Sequence, residues 1–330
     1  MPRVLITPAT LNGIDGNYLT LLKQAGFEIV TPPAPWDHQL VEEELMQLLP
    51  GMDASIAGME PYNARVLAAH PQLKVIARVG VGYDAVDLAA ATKHGVAVTI
   101  TAGANHDTVA EQAFALYFAL AKQITVDDRN MRAGKWIRHV TIPVRGQTLG
   151  IVGLGRIGKA MALRALAFGM HVIAYEVMPD QAWLKSHAVQ LSTLEELLKQ
   201  SDVVSLHAPA TADTRHLINA RTLAFMKPTA FLLNTARGGL VDEVALADAL
   251  RSGRIAGAGL DVFAQEPTPP DHPFYHLDNV VMTPHTGGTD LKSRLDMAEL
   301  AAQSIVELSR GNWPEHLVVN REVKQRFQWK

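Results

Sequence analysis

The chain has 330 residues, more than one hydrophobic core usually serves, so its length predicts two domains. With 48% hydrophobic residues, 19% charged residues and a formal net charge of -3, the composition favours neither a nucleic-acid partner nor binding to an anionic membrane. There is no cysteine, which excludes disulfides and thiolate chemistry and fits a reducing cytoplasm. No apolar run approaches the roughly 20 residues of a spanning helix, and nothing resembles a signal peptide. We therefore expect a soluble, unprocessed protein without a bound metal.

Short β-rich runs alternate with helical patterns along nearly the whole chain, which predicts parallel sheets covered by helices. The first part contains five predicted strands, at Val4–Thr7, Glu28–Val30, Ala54–Ala57, Lys74–Val79 and Val96–Thr99. Five strands of this kind indicate a small doubly wound domain.

A long apolar helix is predicted next, over Thr108–Ile124. Its hydrophobic side chains lie on more than one face, so we expect it to be buried between domains or subunits. It carries more apolar surface than one neighbour would cover, which predicts a homodimer formed through the domain to which this helix belongs.

A second series of strands follows a loop over Gly134–Gly146. The six strands are predicted at Leu149–Val152, His171–Tyr175, Val203–His207, Phe231–Asn234, Ala256–Asp261 and Val280–Thr283. Six such strands suit a dinucleotide-binding fold. The last predicted helix, Asp290–Leu308, is expected to return to the first domain. The organisation is then a cofactor domain over 101–287, inserted in a substrate domain made of 1–100 and 288–330.

The strongest motif lies where the first strand of the second series meets a helix. Gly153, Gly155 and Gly158 form the pattern Gly-x-Gly-x-x-Gly. In a dinucleotide fold the first glycine allows a tight turn, the second lets the pyrophosphate approach bare backbone, and the third lets the helix pack closely on the sheet. Glu176 ends the next strand, near the spacing of about 20 residues expected of an acid that binds the adenosine ribose. Together these features predict dinucleotide binding.

The same acid distinguishes between the two nicotinamide cofactors. A carboxylate at position 176 accepts hydrogen bonds from ribose hydroxyls and repels a 2′-phosphate. The residues that follow, Val177–Pro179, include no arginine. NAD is therefore expected rather than NADP.

Groups suited to hydride transfer lie in three segments, Asn234–Gly239, Asp261–Pro267 and Pro284–Gly288. Each segment follows a predicted strand. Since ligands of open α/β sheets bind outside the carboxyl ends of the strands, we expect the three segments to converge on one crevice.

Taken together, the motifs resemble those of the D-isomer-specific 2-hydroxyacid dehydrogenases, and among them the D-3-phosphoglycerate dehydrogenase branch. The similarity runs from about Leu73 to Gly288, and it includes residues 78–87, Gly103–Asn105, Val109–Glu111 and Gly134–Trp136 beside the segments above. It implies an α/β fold of two doubly wound parallel-sheet domains, with a Rossmann NAD-binding domain inserted in a flavodoxin-like substrate domain. It also implies an NAD-dependent oxidoreductase that acts on the CH-OH group of a small 2-hydroxy acid.

By this resemblance three side chains would perform the chemistry. His285 would exchange a proton with the substrate oxygen, a task that suits an imidazole. Glu266 would orient His285 and favour its protonated form. Arg237 would hold the substrate carboxylate and polarise the C2 oxygen, because its planar fork and fixed charge match such oxygens.

Further contacts follow from the same resemblance. The backbone amides of Val79 and Gly80 would bind the substrate carboxylate. Arg78 would either recognise a substrate phosphate or brace its own loop. Besides the fingerprint and Glu176, the residues expected to line the cofactor are Arg156, Ile157, Thr235, Ala236, Asp261 and Thr108.

Departures from the family pattern concern both the cofactor site and the substrate. Glu176 stands where an aspartate is usual, and the segment Gly58–Glu60 lacks an arginine that phosphoglycerate enzymes often carry. A glyoxylate or hydroxypyruvate reductase is therefore the alternative enzyme. From another class, the alternative is an NAD(H)-sensing corepressor that binds peptides.

Overall fold

The computed structural model describes residues 1–34 and 36–329, and the chain divides into two compact units. Unit 1 comprises Met1–Asn105 and the chain from Thr289 onward, whereas unit 2 is His106–Gly288. Across the described ranges, no helix combines the length and apolarity needed to cross a membrane.

The strands and helices alternate through both units. The strands are β1 Arg3–Ile6, β2 Glu28–Val30, β3 Ala54–Ala57, β4 Val75–Arg78, β5 Ala97–Thr99, β6 Thr148–Val152, β7 His171–Tyr175, β8 Val189–Leu191, β9 Val203–Leu206, β10 Phe231–Asn234, β11 Gly257–Leu260 and β12 Val280–Met282. The helices are α1 Asn17–Gln24, α2 Glu42–Leu48, α3 Ala64–Ala69, α4 Leu88–Lys93, α5 His106–Ala121, α6 Ile124–Arg132, α7 Arg156–Ala167, α8 Gln181–Lys185, α9 Leu194–Gln200, α10 Ala220–Leu223, α11 Glu243–Arg251 and α12 Leu291–Ser309.

Unit 1 is built on a five-stranded parallel sheet in the order β2-β1-β3-β4-β5. This is the flavodoxin-like order of a doubly wound sheet. Successive side chains of β1 enter different clusters, since Val4 and Ile6 pack with α1 and α12 while Leu5 packs with α2 and α3. The sheet is thus covered on both faces, and α12 belongs to unit 1 although it follows unit 2 in the chain.

Unit 2 is built on a seven-stranded parallel sheet in the order β12-β11-β10-β9-β6-β7-β8. From β8 to β11 the strands follow the Rossmann order 3-2-1-4-5-6, with β6 as the first strand, and β12 extends the sheet beside β11. The two doubly wound parallel domains expected from the sequence are confirmed. Strand β8 was not predicted, because three residues at the sheet edge with largely exposed side chains give little hydrophobic pattern.

The long apolar helix differs from its prediction. It is α5, which ends at Ala121, and the chain starts the separate helix α6 after Gln123, whose φ of 54° interrupts the helical path. Most of its large apolar side chains, such as Phe114 and Tyr117, are buried in the core of unit 2 against α7 and the sheet. The apolar surface of α5 therefore packs largely inside its own unit, and the homodimer stays a prediction for which this helix gives no support.

Candidate active site

The glycine fingerprint lies between β6 and α7 and has the geometry that a pyrophosphate requires. Gly153 has a φ of 95°, and a Cβ there would lie 2.7 Å from the Ala208 nitrogen. A Cβ on Gly158 would lie 2.1 Å from the Gly153 oxygen, so only glycine allows α7 this close to the turn. Gly155, in contrast, has nothing within 4 Å of its Cβ position. The backbone is thus open at the one glycine where a phosphate would approach, and the chain fits a dinucleotide.

Glu176 follows β7 and faces this turn. Its Oε2 accepts a hydrogen bond of 2.7 Å from the Leu154 amide, and its Oε1 accepts one of 2.9 Å from the Met178 amide. The carboxylate therefore links the fingerprint turn to the loop after β7, where the ribose of a dinucleotide would lie. The longer glutamate side chain reaches this place from the strand end.

The three segments expected to converge do so. Strands β10, β11 and β12 are neighbours in the sheet, and Arg237, Glu266 and His285 follow their carboxyl ends. The Nδ1 of His285 lies 2.6 Å from Oε2 of Glu266, and both side chains are about one third exposed, at 32% and 30%. His285 adopts a φ of 53°, a left-handed conformation that is uncommon for a residue with a side chain.

Electrostatic effects on Glu266 act in opposite directions. Burial alone would raise the pKa of this carboxyl. The hydrogen bond and charge of His285, the bond from the Phe263 amide and the charge of Arg237 outweigh burial and hold the pKa below its ordinary value. Glu266 is therefore a carboxylate at neutral pH, able to accept from His285 and to stabilise its positive charge.

A tight turn after β10 sets the position of Arg237. The buried Asn234 side chain accepts a hydrogen bond from the Ala236 amide and donates one to the Arg237 carbonyl. The next residue, Gly238, is also required, because a Cβ there would lie 1.9 Å from the carbonyl carbon of Phe263. This close approach brings the Arg237 turn against the segment that carries Glu266.

The remaining cofactor candidates all belong to unit 2. Arg156 and Ile157 open α7, and Thr108 is buried near the start of α5. Ala236 forms part of the Asn234 turn. Thr235 is the most informative, because its hydroxyl is buried and has no hydrogen-bond partner among residues 1–34 and 36–329. Such a group is expensive to bury unless a ligand satisfies it.

Asp261, which the sequence predicts as a cofactor contact, also holds a loop of its own unit. It is 1% exposed, and its carboxylate accepts hydrogen bonds from Thr283, Thr286 and Gly287 in the loop after β12. Its oxygens hold the loop that carries His285 rather than facing an open surface.

In unit 1 the two backbone amides expected to bind the substrate carboxylate have hydrogen-bond acceptors within the unit. The Val79 amide donates to the Ala57 carbonyl at 2.8 Å, and the Gly80 amide donates to the Thr101 hydroxyl at 2.9 Å. The first bond extends the β3 to β4 ladder, and the second ties the loop to the segment after β5.

Arg78 ends β4 and is 2% exposed. Its Nε donates to the Gly82 carbonyl at 3.0 Å, and Nη2 lies 3.2 Å from the Met59 sulfur. Glu60 is buried close to it. Burial raises the pKa of Glu60, and the charge of Arg78 with hydrogen bonds, one of them with Thr7, offsets that effect only in part. Of the two roles considered for Arg78, the geometry favours bracing of the loop.

Sequence reasoning missed three residues of interest. Asn234 was noted only as part of a segment, although an asparagine that closes a turn is a known local signal. No pattern marked Glu60 as buried. His207, regarded as an ordinary structural residue, follows β9 beside Gly153, and burial lowers its pKa to about 4.

Comparison with known proteins agrees with this geometry. Residues 114–287 match the family model described as D-isomer specific 2-hydroxyacid dehydrogenase, NAD binding domain. A glyoxylate reductase of Korarchaeum cryptofilum is 45% identical over 273 residues, which cover 81% of this chain and 82% of that protein. A D-3-phosphoglycerate dehydrogenase of Mycobacterium leprae is 43% identical over 265 residues, covering 79% of this chain and 50% of that protein. The solved structure of the TT0316 protein from Thermus thermophilus is similar with a TM-score of 0.85 and 40% identity, over 96% of this chain and all of that one.

Proposed function

The chain belongs to the family of D-isomer specific 2-hydroxyacid dehydrogenases, and from this premise we propose that it reduces small 2-oxo acids without a phosphate group, above all glyoxylate. The observation that carries the proposal is the pair of His285 and Glu266, which lies beside the Arg237 turn at the ends of neighbouring strands. An acid–base group, its carboxylate partner and a fixed cation are the side chains that reduction of a 2-oxo acid needs.

Within this proposal His285 moves the proton. When bound, NADH supplies the hydride to C2 of the oxo acid. Because Nδ1 of His285 is engaged by Glu266, Nε2 is the ring nitrogen that remains to donate a proton to the C2 oxygen. Glu266 keeps the imidazole oriented and stabilises its charged form. In the oxidation direction the same nitrogen, neutral, takes the hydroxyl proton.

Arg237 binds and orients the substrate. Its guanidinium offers donors in a fixed fork to the carboxylate and to the C2 oxygen, and its charge stabilises the negative charge that develops on that oxygen. Asn234 and Gly238 are positioning residues for this side chain, since they determine the turn and the close approach of the neighbouring segment.

Unit 1 is proposed as the substrate domain and unit 2 as the NAD-binding domain. We propose the backbone amides of Val79 and Gly80 as donors to the substrate carboxylate, which would compete with their acceptors within unit 1, the Ala57 carbonyl and the Thr101 hydroxyl. The bond from Arg78 to the Gly82 carbonyl would hold the segment that carries these amides in place.

The cofactor would be held by residues of unit 2. The open backbone at Gly155 and the start of α7 would take the pyrophosphate, and Glu176 the adenosine ribose. The buried Thr235 hydroxyl would gain a partner when the cofactor or substrate is bound. A carboxylate at position 176 supports a preference for NAD(H) over NADP(H).

The absence of a phosphate from the substrate is supported by Arg78. A buried guanidinium whose donors already engage the Gly82 carbonyl and the Met59 sulfur is a poor receptor for a phosphate dianion. The similarity to glyoxylate reductases over most of their length supports the same choice.

We also propose a homodimer, formed through a surface other than that of α5. The exposed apolar side chains lie beyond α5, in a segment that we call the apolar arm, residues 131–140. Trp136 is 79% exposed and Val140 95% exposed, and Met131 and Ile137 are exposed as well. Large apolar side chains grouped in this way are typical of a surface covered by another chain.

Steady-state turnover with NADH tests the function. We expect kcat/KM to be at least about ten-fold higher for glyoxylate than for 3-phosphohydroxypyruvate, since an unpartnered phosphate is costly to desolvate. Hydroxypyruvate serves as the matched acid of the same carbon skeleton without the phosphate. A higher value for the phosphorylated acid would contradict the substrate assignment. Tight NADH binding without turnover of any 2-oxo acid would contradict the enzymatic role and favour a nucleotide-sensing protein.

A further inference from the structure

The loop after β12 holds His285 in a strained backbone conformation. At a φ of 53° a residue with a Cβ sits in the left-handed region, where the surrounding structure has to determine the conformation. The His285 amide donates to the carbonyls of Asp261 and Thr283, at 2.8 and 3.1 Å. These backbone hydrogen bonds thus hold the loop only up to His285.

The Asp261 carboxylate holds the part of the loop that follows His285. Its Oδ1 accepts a hydrogen bond of 3.0 Å from the Thr286 amide, and its Oδ2 accepts one of 2.7 Å from the Gly287 amide. A Cβ on Gly287 would lie 2.6 Å from Oδ2, so a glycine is needed for this approach. Because both amides follow His285 directly, the position of this buried carboxylate determines where the imidazole lies.

The Thr283 hydroxyl in turn determines the rotamer of Asp261. It donates to Oδ1 of Asp261 at 2.5 Å and accepts a hydrogen bond of 3.0 Å from Nε2 of Gln112 on α5. A hydroxyl that donates to one partner and accepts from another has both of its directions fixed. Gln112, Thr283 and Asp261 therefore form a chain of hydrogen bonds from α5 to the loop of His285.

We propose that Thr283 and Gln112 are positioning residues for His285. They touch neither substrate nor cofactor in this scheme, and they act by holding Asp261 in the rotamer that orders residues 285–287. The proposal rests on the proposed function of His285 as the acid–base group. Its consequence is that the distance between His285 and Glu266 depends on a hydroxyl two residues before the histidine.

Thr283→Val tests the proposal, because valine keeps the shape of threonine and removes the hydroxyl. Thr283→Ser restores the hydroxyl, Gln112→Met removes the amide at similar length, and Thr20→Val on the exposed face of α1 is the matched control. For Thr283→Val we expect kcat for glyoxylate to fall about ten-fold or more, with the dissociation constant of NADH changed less than about two-fold. Thr283→Ser should recover most of kcat, and Gln112→Met should lose about three-fold.

A second readout does not depend on turnover. The short bond between His285 and Glu266 should give a downfield imidazole N–H proton resonance, assigned by its loss in His285→Asn. We expect this resonance to broaden or disappear in Thr283→Val and to persist in Thr283→Ser and Thr20→Val. Retention of both kcat and the resonance in Thr283→Val would overturn the proposal. If the wild type lacks turnover but shows the resonance and its loss in Thr283→Val, the proposed function fails while the positioning stands. Should Thr283→Val not fold, Gln112→Met with the same two measurements decides.

Discussion

Oε2 of Glu266 lies 2.6 Å from Nδ1 of His285, across 19 positions of sequence, because the two residues follow neighbouring strands of one sheet. The imidazole thereby has a carboxylate partner whose own pKa stays below its ordinary value, despite the opposing effect of burial. The partner of His285 therefore remains ionised across the neutral and mildly acidic range.

Glu266→Gln should change the pH dependence of the reaction more than the binding of substrate. The amide keeps much of the shape but loses the charge that favours imidazolium. Oxidation of the hydroxy acid needs neutral His285, so the acidic limb of its pH–rate profile should extend to lower pH. Reduction needs protonated His285, so its rate at neutral pH should decline. The measurement is a pair of pH–rate profiles, one in each direction.

His285→Asn is the companion variant. Removal of the acid–base group should lower turnover in both directions by about 10² to 10⁴, the usual scale of general acid–base catalysis. Binding of NADH, measured by fluorescence, serves as the control for folding. If His285→Asn keeps near-normal turnover and Glu266→Gln leaves the limbs of both pH–rate profiles in place, this pair does not carry out the proton transfer.

Arg237→Lys should raise KM for the oxo acid and lower kcat together. An ammonium keeps the charge but cannot make paired contacts to a carboxylate and a carbonyl oxygen. We expect kcat/KM to fall by about 10² or more, since a charged hydrogen bond and its geometry are lost. The control is Lys122→Arg, just beyond the C-terminal end of α5, which exchanges the same two residue types in the opposite direction. Kinetics equal to those of the wild type would remove Arg237 from substrate binding.

The sequence predicted those features that depend on local patterns and chain order. The strand series, the glycine turn and the convergence of three segments follow from periodicity and from the parallel sheet rule. The sequence did not predict which groups become hydrogen-bond partners in the folded chain. Whether the Val79 amide is free depends on its bond to Ala57, and whether Arg78 can meet a substrate depends on its burial. Likewise, no periodicity predicts that Asp261 would use both oxygens on the loop of His285.

Cofactor preference should depend on Glu176. The wild type should use NADH with at least about ten-fold higher kcat/KM than NADPH, because a carboxylate repels the 2′-phosphate. Glu176→Gln should narrow that ratio, since the amide can still accept from a ribose hydroxyl and lacks the charge. Steady-state kinetics with both cofactors measure the ratio. Equal or better efficiency of the wild type with NADPH would refute the assignment.

The apolar arm should mediate dimerisation. Trp136→Ser combined with Val140→Asp removes a large aromatic side chain and places a charge among apolar residues, while both positions are exposed and contribute little to the core of unit 2. We expect the wild type to sediment as a dimer at micromolar concentration and the double variant to weaken the dimer by about ten-fold or more. Val244→Asp, at another exposed valine, is the control. A monomeric wild type would contradict the proposed dimer, and a dimeric double variant would exclude the arm.

His207 should make the protein less stable in mild acid. Burial lowers the pKa of its imidazole to about 4, whereas an unfolded chain binds the proton near pH 6.5. Between these values the unfolded state holds more protons than the folded state, so the free energy of unfolding falls as pH decreases. From about pH 7 to about pH 5 this residue alone should cost on the order of 2 kcal/mol. Urea unfolding at both pH values measures it, and His207→Gln, which cannot be protonated, should show a correspondingly smaller loss. His171→Gln, at an exposed histidine of β7, should behave as the wild type does. If His207→Gln and the wild type lose the same free energy of unfolding, another group titrates in this range. The His207 ring would then take up its proton while the protein stays folded.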